Sequence, residues 1–308
     1  ERVWLGHDIP LADVSVSRLV ETPDDIIGQL NQYLDPTVAG HLSLHSAFTT
    51  GESFFSDGAG AASSSLGTQL GLLTSSQQAL LTPGTLWSRN DVLGDFFNKT
   101  PVPDVGAIWA HYSHWVAQPA SLSSPPVFGD FLTTADVSQD SSHPYKGRLL
   151  FTVGCHSGLN VPDTIATVSS DNQKRMLDWA QAYMAARASV YVANTGFGYG
   201  DTTTVDLSER LMDHFAGAIN SGGTIGEQWV RALHQDYSEP SNYDIIDEKV
   251  MLEANMYGLP FYDFGSTPPH NPPPAVTPPS TTTVAGVDTA QLPAITAKDV
   301  ADLEVAVQ

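Results

Sequence analysis

Apolar residues recur along most of the chain in two rhythms, one with a period of two and one with helical spacing. Residues 13–19 alternate apolar and polar positions and predict a strand. Thr22-Pro23-Asp24-Asp25 then opens a helix, with a capping hydroxyl, proline at the first position and acids in the first turn. Residues 41–45 predict a second strand and Ser88-Arg89-Asn90-Asp91 a short helix. Residues 105–110 predict a strand that ends at His111, and residues 149–153 a buried strand that ends at Gly154. Ser170-Asp171-Asn172-Gln173 reads as a capping box, followed by Met176, Leu177, Ala180, Tyr183 and Met184 at helical spacing. Residues 190–193 predict another strand. Leu207, Leu211, Phe215 and Ile219 mark a helix, and Thr224-Ile225-Gly226-Glu227 caps one more. Strands separated by helices imply an α/β fold with a mostly parallel sheet covered on both faces. In such sheets function gathers at the carboxyl ends of strands.

The pattern changes near residue 265. Residues 266–283 are dense in proline and threonine, which cannot build a core and favour extended backbone, so they read as a linker. Residues 284–308 are acidic and mildly apolar, a tail or the start of a further module. Residues 1–265 form the expected folded domain. The chain opens on the strand-like Glu1-Arg2-Val3-Trp4, as expected of a processed piece with an upstream part.

Charge narrows the possible partners. The 308 residues hold 34 acidic and 13 basic side chains, a formal charge of −21. No basic patch can neutralise phosphates, so nucleic acid and anionic membrane surfaces are excluded as partners. No apolar run approaches the roughly 20 residues of a membrane span, so no membrane insertion is expected. The acidic surplus suits a secreted or cell-surface protein, a cationic substrate or a structural calcium ion, although no loop carries an EF-hand pattern. The sequence leaves the oligomeric state open.

One residue stands out chemically. Cys155 is the single cysteine of the chain and cannot form an internal disulfide. It follows the predicted strand 149–153 and sits inside Gly-Cys-His-Ser-Gly, residues 154–158. A thiol attacks as the thiolate and needs a base. His111, at the end of the preceding predicted sheet strand, is the first candidate; His114 and His156 are rivals. The N–H groups of Cys155 and of Tyr112 are natural donors to an oxyanion. The plain alternative is a small buried cysteine and an unrelated surface histidine. No nucleophile elbow, zinc-hydrolase pattern or dinucleotide-binding turn is present.

In order along the chain, Ala-His-Tyr-Ser-His-Trp (110–115), Gly-Cys-His-Ser-Gly (154–158), Ala-Asn-Thr-Gly-Phe-Gly-Tyr-Gly-Asp (193–201) and Leu-Ser-Glu-Arg-Leu (207–211) resemble the gingipain-type cysteine peptidases of the caspase-like clan. Met-Tyr-Gly-Leu-Pro (256–260) is similar to the segment that closes their catalytic domain. The resemblance runs from residue 1 to about 264. It implies a caspase-like three-layer α/β/α sandwich and a catalytic dyad of Cys155 and His111, with no cofactor or metal in the chemistry. Tyr112 stands where the family usually has glycine after the histidine.

The resemblance also implies an acid that orients the histidine, for which Asp57 is the candidate, and an acid that selects a basic substrate side chain, for which Asp201 is the candidate. Asp57 and Asp201 are equally placed to cap helices. Phe197 and Tyr199 would line the substrate pocket. The expected function is a cysteine endopeptidase acting on protein or peptide substrates, after Arg or Lys. The alternative is a caspase-like binding or structural module without turnover.

Overall fold

A computed structural model describes residues 11–38, 40–72, 74, 77–81, 86–137, 144–162, 177–239 and 243–264. The predicted linker 266–283, the tail 284–308 and the capping box at 170–173 lie outside the described residues.

Strands alternate with helices in the order β1 (Ser17–Arg18), α1 (Pro23–Leu34), β2 (Ala47–Gly51), α2 (Ser56–Leu70), β3 (Gln78–Leu81), α3 (Arg89–Val92), β4 (Val105–Trp109), β5 (His111–Tyr112), β6 (Val116–Gln118), β7 (Leu132–Thr133), β8 (Leu149–Phe151), α4 (Trp179–Ala185), β9 (Val190–Asn194), α5 (Ser208–Ala218), α6 (Ile225–Ser238), α7 (Ile245–Glu253) and β10 (Ala254–Gly258). Seven strands form one sheet in the order β1-β10-β9-β8-β4-β2-β3. Its interior is parallel; β10 runs antiparallel to β9, and β1 follows β10. A second, three-stranded sheet of β5, β6 and β7 is antiparallel.

Both faces of the large sheet are covered, and alternate residues of each strand feed separate cores. Val105, Ala107, Trp109 and Phe151 pack with Leu66, Phe215 and Trp229 of α2, α5 and α6. Ile108 and Leu150 point the other way, into a core with Phe96, Trp179, Tyr183 and Tyr191. The three layers expected from the sequence are therefore present. Burial on both faces explains why the inner strands read as unbroken apolar runs.

Local signals set the helix starts. The Thr22 hydroxyl accepts from the Asp25 N–H at 3.2 Å, and the Thr224 hydroxyl accepts from the Glu227 N–H at 3.3 Å. Each makes a reciprocal capping box. A buried ion cluster ties the helices of one face together. Arg210 of α5 donates to Asp236 of α6 at 2.8 Å and to Asp247 of α7 at 2.6 Å, and also reaches Asp206.

Two predicted strands are displaced. The first shrinks to Ser17–Arg18. The second belongs to residues 47–51, not 41–45: the His45 N–H goes to the Asp104 carboxylate at 2.8 Å rather than into a ladder.

Candidate active site

Three neighbouring parallel strands deliver three reactive side chains to one rim of the sheet. Ala107 of β4 is registered with Phe151 of β8. His111 and Cys155 each lie four residues beyond that pair, at the carboxyl ends of the strands. The Thr152 hydroxyl donates to the Ile108 carbonyl at 2.6 Å and holds the two chains together past the last ladder pair. On the other side of β4, Gly51 is registered with Trp109, and the next residue, Glu52, donates its N–H to the Trp109 carbonyl at 2.9 Å.

The Glu52 carboxylate faces the histidine. Its Oε2 lies 3.5 Å from His111 Nε2, and the two side chains are 10% and 50% exposed. Oε2 also accepts from the Phe54 N–H at 3.0 Å, while Ser53 Oγ donates to Oε1. The carboxylate is thus fixed from behind while one edge remains turned to the ring. Phe54 and Phe55 close on the imidazole, with ring centroids 6.0 and 5.6 Å away. With Nε2 toward Glu52, Nδ1 is the ring nitrogen left for proton exchange.

Cys155 is partly exposed, on a turn locked from several sides. The His156 N–H donates to the Gly196 carbonyl at 2.5 Å, and the Gly158 N–H to the Asn194 carbonyl at 2.7 Å. Asn194 Nδ2 donates to the Val153 carbonyl at 2.9 Å, and the Tyr191 hydroxyl to the Ser157 carbonyl at 2.9 Å. The left-handed residue of this turn is His156, with φ of 54°, not either glycine. Gly154 and Gly158 serve close packing instead. A Cβ on Gly154 would fall 2.2 Å from the Tyr112 ring, and one on Gly158 would fall 2.8 Å from the Ala193 carbonyl oxygen. The sulfur lies 3.7 Å from the Gly198 carbonyl oxygen, and the Cys155 N–H makes no hydrogen bond among the described residues.

Tyr112 turns its side chain inward. Its hydroxyl donates to the Ile108 carbonyl at 3.1 Å and its ring meets Trp179 edge-on at 5.4 Å. Burial raises its pKa above the usual phenol range. The main chain tells the other half. Ser113 N–H donates to the Val116 carbonyl at 2.8 Å, so the hydrogen-bonded pairs of this hairpin are 113 with 116 and 111 with 118. Tyr112 opposite Ala117 is then a non-hydrogen-bonded pair, and its N–H points away from β6.

The remaining predicted residues fall around the loop after β9. Phe197 is exposed, with its ring 4.8 Å from that of His156 and 6.5 Å from that of Tyr199. Asp201 is exposed, and its Oδ1 accepts from the Thr203 and Thr204 N–H groups at 2.8 and 3.1 Å. Those bonds, the Thr203 hydroxyl first, hold its pKa below the usual carboxylate range. It does not cap α5, whose N-cap is Leu207. Asp57 sits in the first turn of α2, with both carboxyl oxygens buried and without hydrogen bonds. Its charge acts on the Glu209 carboxyl. The rival His114 has its pKa lowered, by burial first and by His156 second.

Sequence reading missed Glu52 and Glu209. Glu52 had a usable signal, since it follows a strand end as His111 and Cys155 do. Placing that strand at 41–45 hid it. Glu209 is fully buried; its Oε2 accepts from the Asp201 N–H at 3.2 Å and its Oε1 is unpartnered. Desolvation, with Asp57 and Asp201 nearby, pushes its pKa up to about 8. Among the described residues no group of three or more His, Cys, Asp or Glu side chains is placed to hold a metal ion. No described helix is long and apolar enough to cross a membrane.

No family model matches the sequence and no curated protein matches it. Solved structures do. The Arg-specific cysteine proteinase gingipain R superposes with a TM-score of 0.54 at 13% identity, over 84% of this chain and 57% of that one. RgpB of Porphyromonas gingivalis, in the complex of its pro- and mature domains, gives 0.50 at 13% identity, over 83% and 58%. This chain therefore spans somewhat over half the length of those it matches. The α/β fold expected from the resemblance is the fold observed: the chain shares the fold of these two gingipain structures.

Proposed function

We propose that the protein is a cysteine endopeptidase. The observation that carries the reading is the Glu52–His111 contact just past β2 and β4, with Cys155 at the equivalent position past the adjacent β8. In this reading His111 takes the proton of the Cys155 thiol. The thiolate attacks the substrate carbonyl carbon, and the carbonyl π electrons move to oxygen. The N–H groups of Cys155 and Tyr112 receive that oxyanion. Collapse of the tetrahedral species breaks the C–N bond, His111 returns the proton to the leaving amine, and an acyl-thioester remains. A water molecule, deprotonated by His111, then hydrolyses the thioester and frees the thiol. Glu52 positions the imidazole and stabilises its protonated form.

The substrate class proposed is protein or peptide with arginine or lysine before the scissile bond. The acidic charge of the chain and the rim around Asp201 support it by drawing cations to the cleft. Phe197 and Tyr199 supply apolar walls. Secretion or surface display fits the same acidic composition.

The test is chemical labelling of the native protein at neutral pH. Cys155 is expected to react with iodoacetamide, and His111→Ala is expected to slow the reaction at least about tenfold by removing its base. A thiol inert in the folded protein, or labelled equally fast in both, overturns the proposal and leaves a binding module.

A further inference from the structure

The last turn of α7 packs on the loop that follows β9. The Thr195 N–H donates to the Glu253 carbonyl at 2.8 Å, and a Cβ on Gly196 would fall on the Glu253 carboxylate. One turn back, this packing carries Lys249 over the aromatic wall of the cleft. Its Nζ stands 5.6 Å from the Phe197 ring centre and 5.2 Å from that of Tyr199. It donates to the Tyr199 hydroxyl at 2.6 Å and lies 3.6 Å from Glu253 Oε1. The same wall abuts the nucleophile: Phe197 packs on His156, and the carbonyl of Gly198 meets the Cys155 sulfur at 3.7 Å.

Two ring faces, a phenol oxygen and a carboxylate make a slot suited to one cation. The protein fills it with its own. We propose that Lys249 is a specificity-determining residue, a resident ammonium that a basic substrate side chain must displace before it can use the slot between Phe197 and Tyr199. Displacement is feasible because the Lys249 side chain is 43% exposed and its flexible stem can swing the charge into water. A neutral side chain makes no use of the slot and leaves the lysine in place. Lys249 therefore weakens binding of basic substrates selectively and narrows the gap between them and neutral ones.

This inference rests on the peptidase reading with a basic side chain, but its test does not need turnover. The Cys155→Ala protein is titrated with two peptides that differ only in arginine or leucine before the scissile bond. Adding Lys249→Met is expected to lower the Kd of the arginine peptide about five- to tenfold, the scale of a partly exposed cation–π and ion-pair contact. The leucine peptide is expected to stay within about twofold by the same scale. Lys249→Arg keeps a resident cation and is expected to keep the original ratio of the two affinities. An unchanged ratio in Lys249→Met, an equal gain for both peptides, or no measurable binding of the arginine peptide to that variant overturns the proposal. Failure of the peptidase reading would show separately, as an inert Cys155 in the labelling experiment.

Discussion

Two of the buried carboxylate groups among the described residues are built on opposite principles. Around Arg210, Asp236 and Asp247 of two other helices converge on one guanidinium that is 12% exposed. The carboxyl groups of Asp57 and Glu209 are buried near each other with no ion-pair partner among the described residues, where three of their four oxygens have no hydrogen bond. The first group shares one internal cation between its carboxylates and so fastens α5 to α6 and α7. In the second, desolvation first, and the charges of Asp57 and Asp201 after it, push the Glu209 pKa up to about 8 and favour its protonated form. The difference teaches where this acidic chain is rigid by ion pairing and where its ionisation is still open, and the open place lies directly beneath the loop of Asp201.

Substitutions at Arg210 and Glu209 break or sharpen that contrast, and a pair at Glu52 and Asp57 carries it to the histidine. The largest effect is expected from Arg210→Met. It strips the cation from two buried carboxylates and should destabilise the fold by about 3–5 kcal/mol, measured as a lower urea midpoint. A loss under about 1 kcal/mol, the value of a surface pair, would show that the cluster is merely superficial.

Glu209→Gln should act in the other direction. A carboxyl whose folded pKa exceeds its unfolded one holds its proton more tightly when folded. Stability therefore falls as pH rises from the unfolded value near 4.5 to the folded value near 8, and the full penalty is present above 8. Glutamine has no proton to lose and can still accept from the Asp201 N–H. The variant should be more stable than the parent by about 2–4 kcal/mol at pH 9, with the advantage vanishing near pH 4, as read from unfolding midpoints across pH. A difference that does not vary with pH would rule out a retained proton.

Glu52→Gln is the smallest and the most local. The carboxylate is tied to its own turn by the Phe54 N–H, and its contact with His111 is at 3.5 Å beside a half-exposed ring. Stability should barely move, while kcat on a peptide substrate should fall about five- to tenfold at unchanged KM, the scale of one such ion contact. A larger loss in Asp57→Asn than in Glu52→Gln would return the orienting role to Asp57.

Much of this was legible in the chain. β4, β8 and β9 read correctly because runs such as Leu149-Leu150-Phe151 are buried on both faces and bounded by polar turns. The caps at Thr22 and Thr224 placed α1 and α6 because reciprocal side-chain bonds are local. β2 was misplaced for a physical reason. Leu42 and Leu44 alternate and are buried, yet their segment makes no ladder, whereas Ala47-Phe48-Thr49-Thr50-Gly51 is fully buried but carries small and hydroxyl side chains that mimic a loop. The places of His111 and Cys155 at the carboxyl ends of β4 and β8 were readable from the strand pattern. Glu52 would have been readable in the same way had β2 been placed at 47–51, whereas Glu209 was not, since its setting comes from which helix lies over the loop.

The fit of Tyr112 against Gly154 carries one more consequence. The ring occupies the volume that any side chain at 154 would need, and in turn it is seated only because 154 has none. The two positions are a single choice expressed at two places in the chain. Glycine at 112 would remove the three atoms that a Cβ at 154 meets first, while tyrosine there holds 154 to glycine. The histidine strand and the cysteine turn are thus obliged to drift together, and the spacing of the two reactive groups is inherited as one unit.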